Sequence, residues 1–409
     1  MGRNSKFVHI GIMFLVFLGF YIFSPVSVNA SPTNAPMAVV MDFYTGEILF
    51  SVDGARRWIP ASLTKSMAAF IVYEEIAAGN LTHDTPIHVS AGAARFSSDR
   101  RQPGSFVPIP SGAYLTVETL LQLMMIPSAN AASVVMGEHI SGSEAAFVER
   151  MNETAAAMGM YTSFVNSHGA GVHHSDTYSM AILMREFILQ FPDILRITAM
   201  QSMRFNGDVL TNTNHHISRT PVDGLDGFKT GSLRQAGWNH SVTAERDGRR
   251  IIVVVMGTPD NPSRHRESLR LLEFGFRELE RIEAERIERV RIFFGGSLIS
   301  LESPPVIRRG QLMLPMRSVF EQLDYSVQWH EHHRLILLTC ADGRNSTIFM
   351  DRNLAVVNGR TQPFQSHIVD DRIYISKQFI ELVTGTAAEW NEATGVVQFR
   401  NQAVDVLGG

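Results

Sequence analysis

Two pairs of apolar strand segments stand at opposite ends of a long helical stretch, and that arrangement constrains the fold more than any single motif. The first pair is Ala38-Val39-Val40-Met41-Asp42 and Ile48-Leu49-Phe50-Ser51-Val52, joined by a turn through Tyr44, Thr45 and Gly46. The second pair covers residues 239–245 and 250–256, with Asp247-Gly248 as the hairpin turn. Between them, apolar residues recur with helical period over 65–78, 116–126, 130–140, 143–158 and 178–190, and a last helix is predicted over 263–280. Strand pair, helices, strand pair, helix describes an α+β domain over residues 36–280 whose sheet unites both ends of the segment.

Residues 1–30 read as a secretory signal. Arg3 and Lys6 precede a largely apolar, uncharged run over 8–23, Ser24-Pro25 breaks it, and Val28-Asn29-Ala30 offers small residues at the cleavage positions. The run is short for a membrane span, which leaves an uncleaved anchor as the alternative. The expected location is extracytoplasmic, in the cell wall or at the outer face of the cytoplasmic membrane. The one cysteine, Cys340, has no internal disulfide partner, so a chain of this length must rely on its core. A formal charge of -4 argues against nucleic acid as a partner.

Chemistry concentrates in three short tracts. In Pro60-Ala61-Ser62-Leu63-Thr64-Lys65, a hydroxyl and an amine stand one helical turn apart. A serine becomes a nucleophile when a neighbouring base takes its proton, and a lysine held neutral supplies that base. Alone, the spacing equally fits a helix start capped by Ser62. Pro127-Ser128-Ala129-Asn130 places a second hydroxyl and an amide on the turn between two helices, where helix capping is the plain alternative. Gly227-Phe228-Lys229-Thr230-Gly231-Ser232 sets a cation, a hydroxyl and a permissive glycine on a strand edge.

Ser-x-x-Lys, Ser-x-Asn and Lys-Thr-Gly in this order are the signature set of penicillin-binding proteins and serine β-lactamases. The chain resembles the low-molecular-mass D-alanyl-D-alanine carboxypeptidases in particular, from about residue 36 to 280, through Met151-Asn152, Asn166-Ser167-His168-Gly169, Asn212-Thr213-Asn214 and Ala236-Gly237 as well. The resemblance implies the transpeptidase fold, an antiparallel sheet with a helical subdomain. It implies that Ser62 attacks the penultimate D-alanine carbonyl of a peptidoglycan stem peptide and that neutral Lys65 accepts its proton. Ser128 would relay a proton to the leaving amine, and Asn130 would hold Lys65 and the substrate amide. Lys229 and Thr230 would bind the terminal carboxylate beside Gly231, with the N–H groups of Ser62 and Ser232 as oxyanion hole. β-Lactams, which mimic the acylation step, are the implied inhibitors. No metal or other cofactor is called for.

Departures from the family pattern fall at Ala131, Met180, Leu183 and Ser232-Leu233, and none removes a catalytic group. A D,D-endopeptidase would use the same residues. A class A β-lactamase needs a Glu-x-x-Leu-Asn tract to activate the deacylating water, and Glu149-Arg150-Met151-Asn152 has the wrong spacing within a helix. The histidines at 168, 173 and 174, and those at 330, 332 and 333, read as loop and turn residues rather than zinc ligands.

Arg and Glu alternate from 277 to 291, predicting a solvated helix or strand that carries ion pairs between domains, with residues 281–292 as a charged connector. Residues 293–402 then echo themselves. Leu314-Pro315-Met316-Arg317 leads through Phe320-Glu321 to Trp329, and Ile375-Ser376-Lys377-Gln378 leads through Ile380-Glu381 to Trp390. This predicts a small α+β module built from two copies of strand, short helix and hairpin. It resembles the module named after the N-terminal domain of copper amine oxidases, which is not the copper-bearing part of those enzymes. Cell-wall attachment or substrate presentation is the role expected of it.

Overall fold

The computed structural model describes residues 31–97 and 105–401, so the predicted signal over residues 1–30 lies outside the described residues. Five strands form one wholly antiparallel sheet: β1 (Met37–Asp42), β2 (Ile48–Val52), β3 (Leu225–Leu233), β4 (Gly237–Arg246) and β5 (Arg249–Thr258), in the order β2-β1-β5-β4-β3. The sheet's first strand in sequence therefore pairs with its last, as Val39 opposite Val254, and both ends of the segment meet in mid-sheet.

Alternation along β1 explains its continuous apolar run. Met37, Val39 and Met41 face the helical subdomain with Ile252, Val254 and Met256, whereas Ala38 and Val40 face the opposite side with Val253 and Val255. The helical subdomain comprises α1 (Lys65–Ala77), α2 (Val117–Met125), α3 (Asn130–Ser141), α4 (Glu144–Ala157) and α5 (Thr177–Gln190). The other face is covered by α6 (Asn261–Glu288), where Leu271, Leu272 and Leu279 are buried. Asp260 caps α6 by accepting from the Ser263 N–H at 2.6 Å.

Helix α6 corrects the expected solvation of the connector. It runs on through the charged stretch to Glu288, and Glu283 is buried rather than solvated, paired with Arg249 at 2.5 Å. Arg286 reaches both Glu47 of the first sheet's hairpin and Glu392 of the C-terminal module, at 2.7 and 3.0 Å. These charges join surfaces; their alternation in sequence gives no sign of which ones a neighbouring module will cover.

The C-terminal module has its own core, formed by Ile307, Leu314, Val319, Phe320, Ile336, Leu338, Ile375, Ile380, Val397 and Phe399 among others. Its echo is structural. The first copy is β6 (Val306–Arg308), β7 (Gln311–Pro315), α7 (Met316–Gln322), β8 (Tyr325–His330) and β9 (Leu335–Cys340). The second is β10 (Ser366–Val369), β11 (Arg372–Ser376), α8 (Lys377–Thr384), β12 (Thr386–Asn391) and β13 (Val396–Asn401). Gln311 falls on Arg372, Met316 on Lys377, Trp329 on Trp390 and Leu335 on Val396, one constant spacing throughout. The sequence alignment of Phe320-Glu321 with Ile380-Glu381 slips by one. The fully buried Val319 and Ile380 occupy the same place instead. In both copies a cation early in the helix donates to the matching strand carbonyl: Arg317 to Val327 O and Lys377 to Ala388 O, each at 3.1 Å. No helix among the described residues is long and apolar enough to cross a membrane.

Candidate active site

Ser62 lies in a single 3-10 turn, Ala61–Thr64, that runs directly into α1. Lys65 therefore points to the same side as Ser62, and its Nζ lies 3.0 Å from Ser62 Oγ. The first turn of a helix leaves N–H groups without intrahelical acceptors, so the Ser62 amide is available to a ligand. Neither Ser128 nor Asn130 caps α3: the cap position is Ala129, with no side-chain bond. Ser128 instead takes a left-handed conformation (φ 67°), uncommon for a residue with a Cβ, and its Oγ is buried without a partner among the described residues.

Lys65 is fully buried, and its Nζ meets two further acceptors, Asn130 Oδ1 and the His168 carbonyl, both at 2.8 Å. A neutral amine has two N–H bonds and one lone pair. With the N–H groups directed to the two fixed acceptors, the lone pair faces the Ser62 hydroxyl. Burial holds Lys65 well below the usual lysine range, and the charge on Lys229 pushes in the same direction. The arrangement makes Lys65 a base aimed at Ser62.

His168 belongs to a loop that is tied down from several sides. Asn152 clasps Phe164 through both its amide groups, and Glu144 accepts from the N–H and hydroxyl of Ser167. Asn166 Oδ1 accepts from the N–H groups of His168 and Gly169. Gly169 has φ +88°, and a Cβ there would lie 2.0 Å from the Ala61 carbonyl, so only glycine lets this loop reach the Ser62 turn. The His168 ring is buried and held neutral, its pKa pushed down to about 3, chiefly by burial and then by Lys65.

Strand β3 forms the opposite wall at the sheet edge. A Cβ at Gly231 would come within 2.7 Å of Pro60 O and 3.2 Å of Ser62 N, which is the close approach that brings Ser232 beside the nucleophile's amide. Ser232 is exposed at this edge, whereas Lys229 and Thr230 are buried. Among the described residues the Lys229 ammonium makes one hydrogen bond, to its neighbour's carbonyl, Thr230 O, at 3.2 Å. Burial lowers it to about 7, with Arg264 adding repulsion.

Three groups here were missed in the sequence. Arg264 of α6 is buried, donates to Gly231 O at 3.1 Å and stacks over Trp238 at 4.8 Å, adding a second cation behind Lys229. Thr213 accepts from Thr230 Oγ1 at 2.7 Å, so two hydroxyls stand together next to Lys229. Asn239 donates from Nδ2 to Ile59 O (2.8 Å) and Pro60 O (3.1 Å), fixing the approach to Ser62 from β4. Only Thr213 carried a signal, within the Asn-Thr-Asn tract. Of the predicted site residues, Ser62, Lys65 and Asn130 are joined by direct hydrogen bonds, and Gly231 lies against the Ser62 backbone. Among the described residues no cluster of three or more His, Cys, Asp or Glu is placed to hold a metal. Glu149, the residue weighed for a lactamase role, is exposed on α4.

A buried amine aimed at a half-exposed serine, an orphan hydroxyl and a cationic carboxylate pocket define a serine acyl-transfer enzyme of the penicillin-binding type. Residues 25–260 match the family model for D-alanyl-D-alanine carboxypeptidase, and residues 293–399 match that for the copper amine oxidase N-terminal domain. The chain belongs to the D-alanyl-D-alanine carboxypeptidase family. Over 60% of its length it is 33% identical to the D-alanyl-D-alanine carboxypeptidase DacF of Bacillus subtilis, of which it spans 63%. Penicillin-binding protein 6B of Escherichia coli superposes on 62% of this chain, and 80% of its own, with a TM-score of 0.58 and 30% identity. The ampicillin-bound penicillin-binding protein D2 of Listeria monocytogenes superposes on 60% of this chain and 98% of its own, with a TM-score of 0.52 and 28% identity.

Proposed function

We propose that this protein is an exported serine D-alanyl-D-alanine carboxypeptidase that trims the terminal D-alanine from peptidoglycan pentapeptides. The observation that carries the reading is the triple coordination of Lys65, which leaves its lone pair for Ser62. The substrate's terminal carboxylate enters beside Lys229, with Thr230, Thr213 and Arg264 around it. Ser62 Oγ attacks the carbonyl carbon of the penultimate D-alanine as its proton passes to Lys65 Nζ. The N–H groups of Ser62 and Ser232 receive the oxyanion. When the C–N bond breaks, the leaving amine of D-alanine takes a proton through Ser128, the unpartnered hydroxyl of the cleft. The remaining ester on Ser62 is hydrolysed by water: Lys65 takes the water's proton as its oxygen attacks and returns it to Ser62 Oγ as the ester C–O bond breaks.

The same geometry accepts a β-lactam, whose ring nitrogen is the leaving amine and whose carboxylate fits beside Lys229. The C-terminal module, whose seam lies at the sheet end remote from Ser62, is proposed to attach the enzyme to the wall.

Incubation with a pentapeptide-bearing muropeptide, followed by mass, tests the reading. Loss of one D-alanine per stem is expected, and Ser62→Ala abolishes it. Cleavage of cross-linked dimers without trimming of monomers would assign an endopeptidase instead.

A further inference from the structure

Four histidines that the chemistry at Ser62 does not use meet behind the carboxylate pocket. The His265 ring is central, its centre 4.9 Å from that of His240, 5.3 Å from His216 and 5.4 Å from His215. No group of three among them is placed to hold a metal. Each comes instead from an element that also supplies a group to the pocket. His215 and His216 open a helical turn, His215–Ser218, directly after Thr213 and Asn214. His240 on β4 stands opposite Thr230 on β3, and His265 follows Arg264 on α6.

Of the four, His216 makes the bond that bears on the pocket. Its Nε2 lies 2.8 Å from the His265 carbonyl, an atom that can only accept, so the ring donates from Nε2. Thr213 is joined to that ring by a stiff stretch of chain. Asn212 Nδ2 donates to the carbonyls of Thr198 and Met200, and Asn212 Oδ1 accepts from the Asn214 N–H at 2.9 Å. Asn214 Oδ1 in turn accepts from the His216 N–H at 3.1 Å. Thr213 itself donates its N–H to Ile126 O at 3.1 Å, just before the Ser128 turn. One end of this stretch is thus fixed to the Ser128 side of the cleft, and His216 fixes the other to α6 beside Arg264.

Packing does not account for the imidazole. His216 Nδ1, His240 Nε2 and both ring nitrogens of His265 are buried without a partner among the described residues. Unpaired buried polar atoms cost stability, and a leucine would fill the same space without them. What the His216 ring gains is its bond to α6. At the pocket end, Thr230 Oγ1 donates to Thr213 Oγ1 at 2.7 Å, so the Thr213 hydroxyl keeps its own proton for another acceptor.

We infer, given the carboxylate-binding role proposed above for the Lys229 pocket, that the Thr213 hydroxyl donates to the substrate's terminal carboxylate and that His216 is the positioning residue that holds it there. The bond to His265 O sets the spacing between Thr213 and Arg264, which approach the pocket from elements distant in sequence. His216 touches no substrate atom. Without its bond the 212–218 segment can shift from α6, and a shift of about 0.5 Å is enough to spoil a preorganised site.

The test uses the full chain and measures the rate of Ser62 acylation by benzylpenicillin and by its methyl ester, which lacks the carboxylate, followed by intact mass. His216→Leu and His216→Asn both remove the donor that reaches His265 O, and His216→Gln restores an N–H near Nε2. Thermal melting checks that each variant is folded. Acylation by the acid is expected to fall at least tenfold in His216→Leu and His216→Asn, with the ester unchanged, and to recover in His216→Gln. Thr213→Val should show the same selective loss, and its combination with His216→Leu should lose no more than either alone. Equal losses for acid and ester would make His216 a structural residue and overturn the proposal. So would an unaltered acid rate in His216→Asn, or losses that add in the double variant. Equal rates for acid and ester in the unmodified chain would overturn it too, by removing the carboxylate pocket. Release of D-alanine from a soluble pentapeptide is followed separately and bears on the carboxypeptidase reading alone.

Discussion

Asn130 Oδ1 accepts a hydrogen bond from Lys65 Nζ at 2.8 Å, and that bond decides how the lysine's lone pair is aimed. Replacing the neutral amide by a carboxylate keeps the acceptor but adds a charge that favours the protonated amine. Asn130→Asp is expected to acylate with penicillin about 100-fold more slowly at neutral pH, within the range of a lost general base. Its rate should recover as pH rises. A profile parallel to that of the unmodified enzyme would show that Lys65 is not the base.

Two lysines of opposite charge state set the pH profile. Lys65 must be neutral and lies well below its usual range, whereas Lys229 must be charged and loses its proton at about 7 in the free enzyme. Activity is therefore lost as pH falls and Lys65 is protonated, and kcat/KM declines again as pH rises past about 7. A bound carboxylate favours the charged lysine, so the alkaline decline in kcat should sit higher than that in kcat/KM. Coincident alkaline limbs in the two profiles would contradict this assignment.

Gly231 packs against the backbone of the nucleophile's turn, where neighbouring atoms cannot rotate away. Gly231→Ala is expected to push β3 from Ser62 and to slow acylation by about 100-fold, the cost of a displacement on the order of 1 Å at a reacting centre. Thermal unfolding should change far less. Normal acylation by Gly231→Ala would mean that the Ser62–Ser232 approach is not required.

Buried neutral histidines link stability to acid. His168 and His265 are pushed down to about 3 and His173 to about 4, and His240 lies well below its usual value, burial being the main cause in each. Their folded pKa values lie below those of the unfolded chain, which binds protons first as pH falls through about 6.5. Their contribution to stability is flat above that pH and is lost below it. Urea midpoints should fall steadily from pH 6.5 to 5, before most carboxylates titrate. A constant midpoint over that window would contradict the burial argument.

The residues legible in the sequence are those whose partners are local. Ser62 and Lys65 share one helical turn, and Lys-Thr-Gly shares one strand, so each tract shows its chemistry by spacing. The missed groups come from afar. Arg264 reaches β3 from the first turn of α6, Asn239 reaches the Ser62 turn across the sheet, and His168 contributes a backbone carbonyl, which no side-chain identity records. The fold is legible in the paired apolar strands because the first and last strands of the segment pair with each other in mid-sheet. Glu283 was misread because its burial depends on Arg249 and on the module docked beside it.

The central claim is that buried Lys65 activates Ser62 as an acyl-accepting nucleophile. Intact-mass measurement after exposure to penicillin tests it most directly, with peptide mapping of the adduct. One β-lactam per chain on Ser62 is expected, absent in Ser62→Ala and formed at least 100-fold more slowly in Lys65→Ala, the loss typical of a removed general base. An adduct on another residue, or an unchanged rate in Lys65→Ala, would contradict the account.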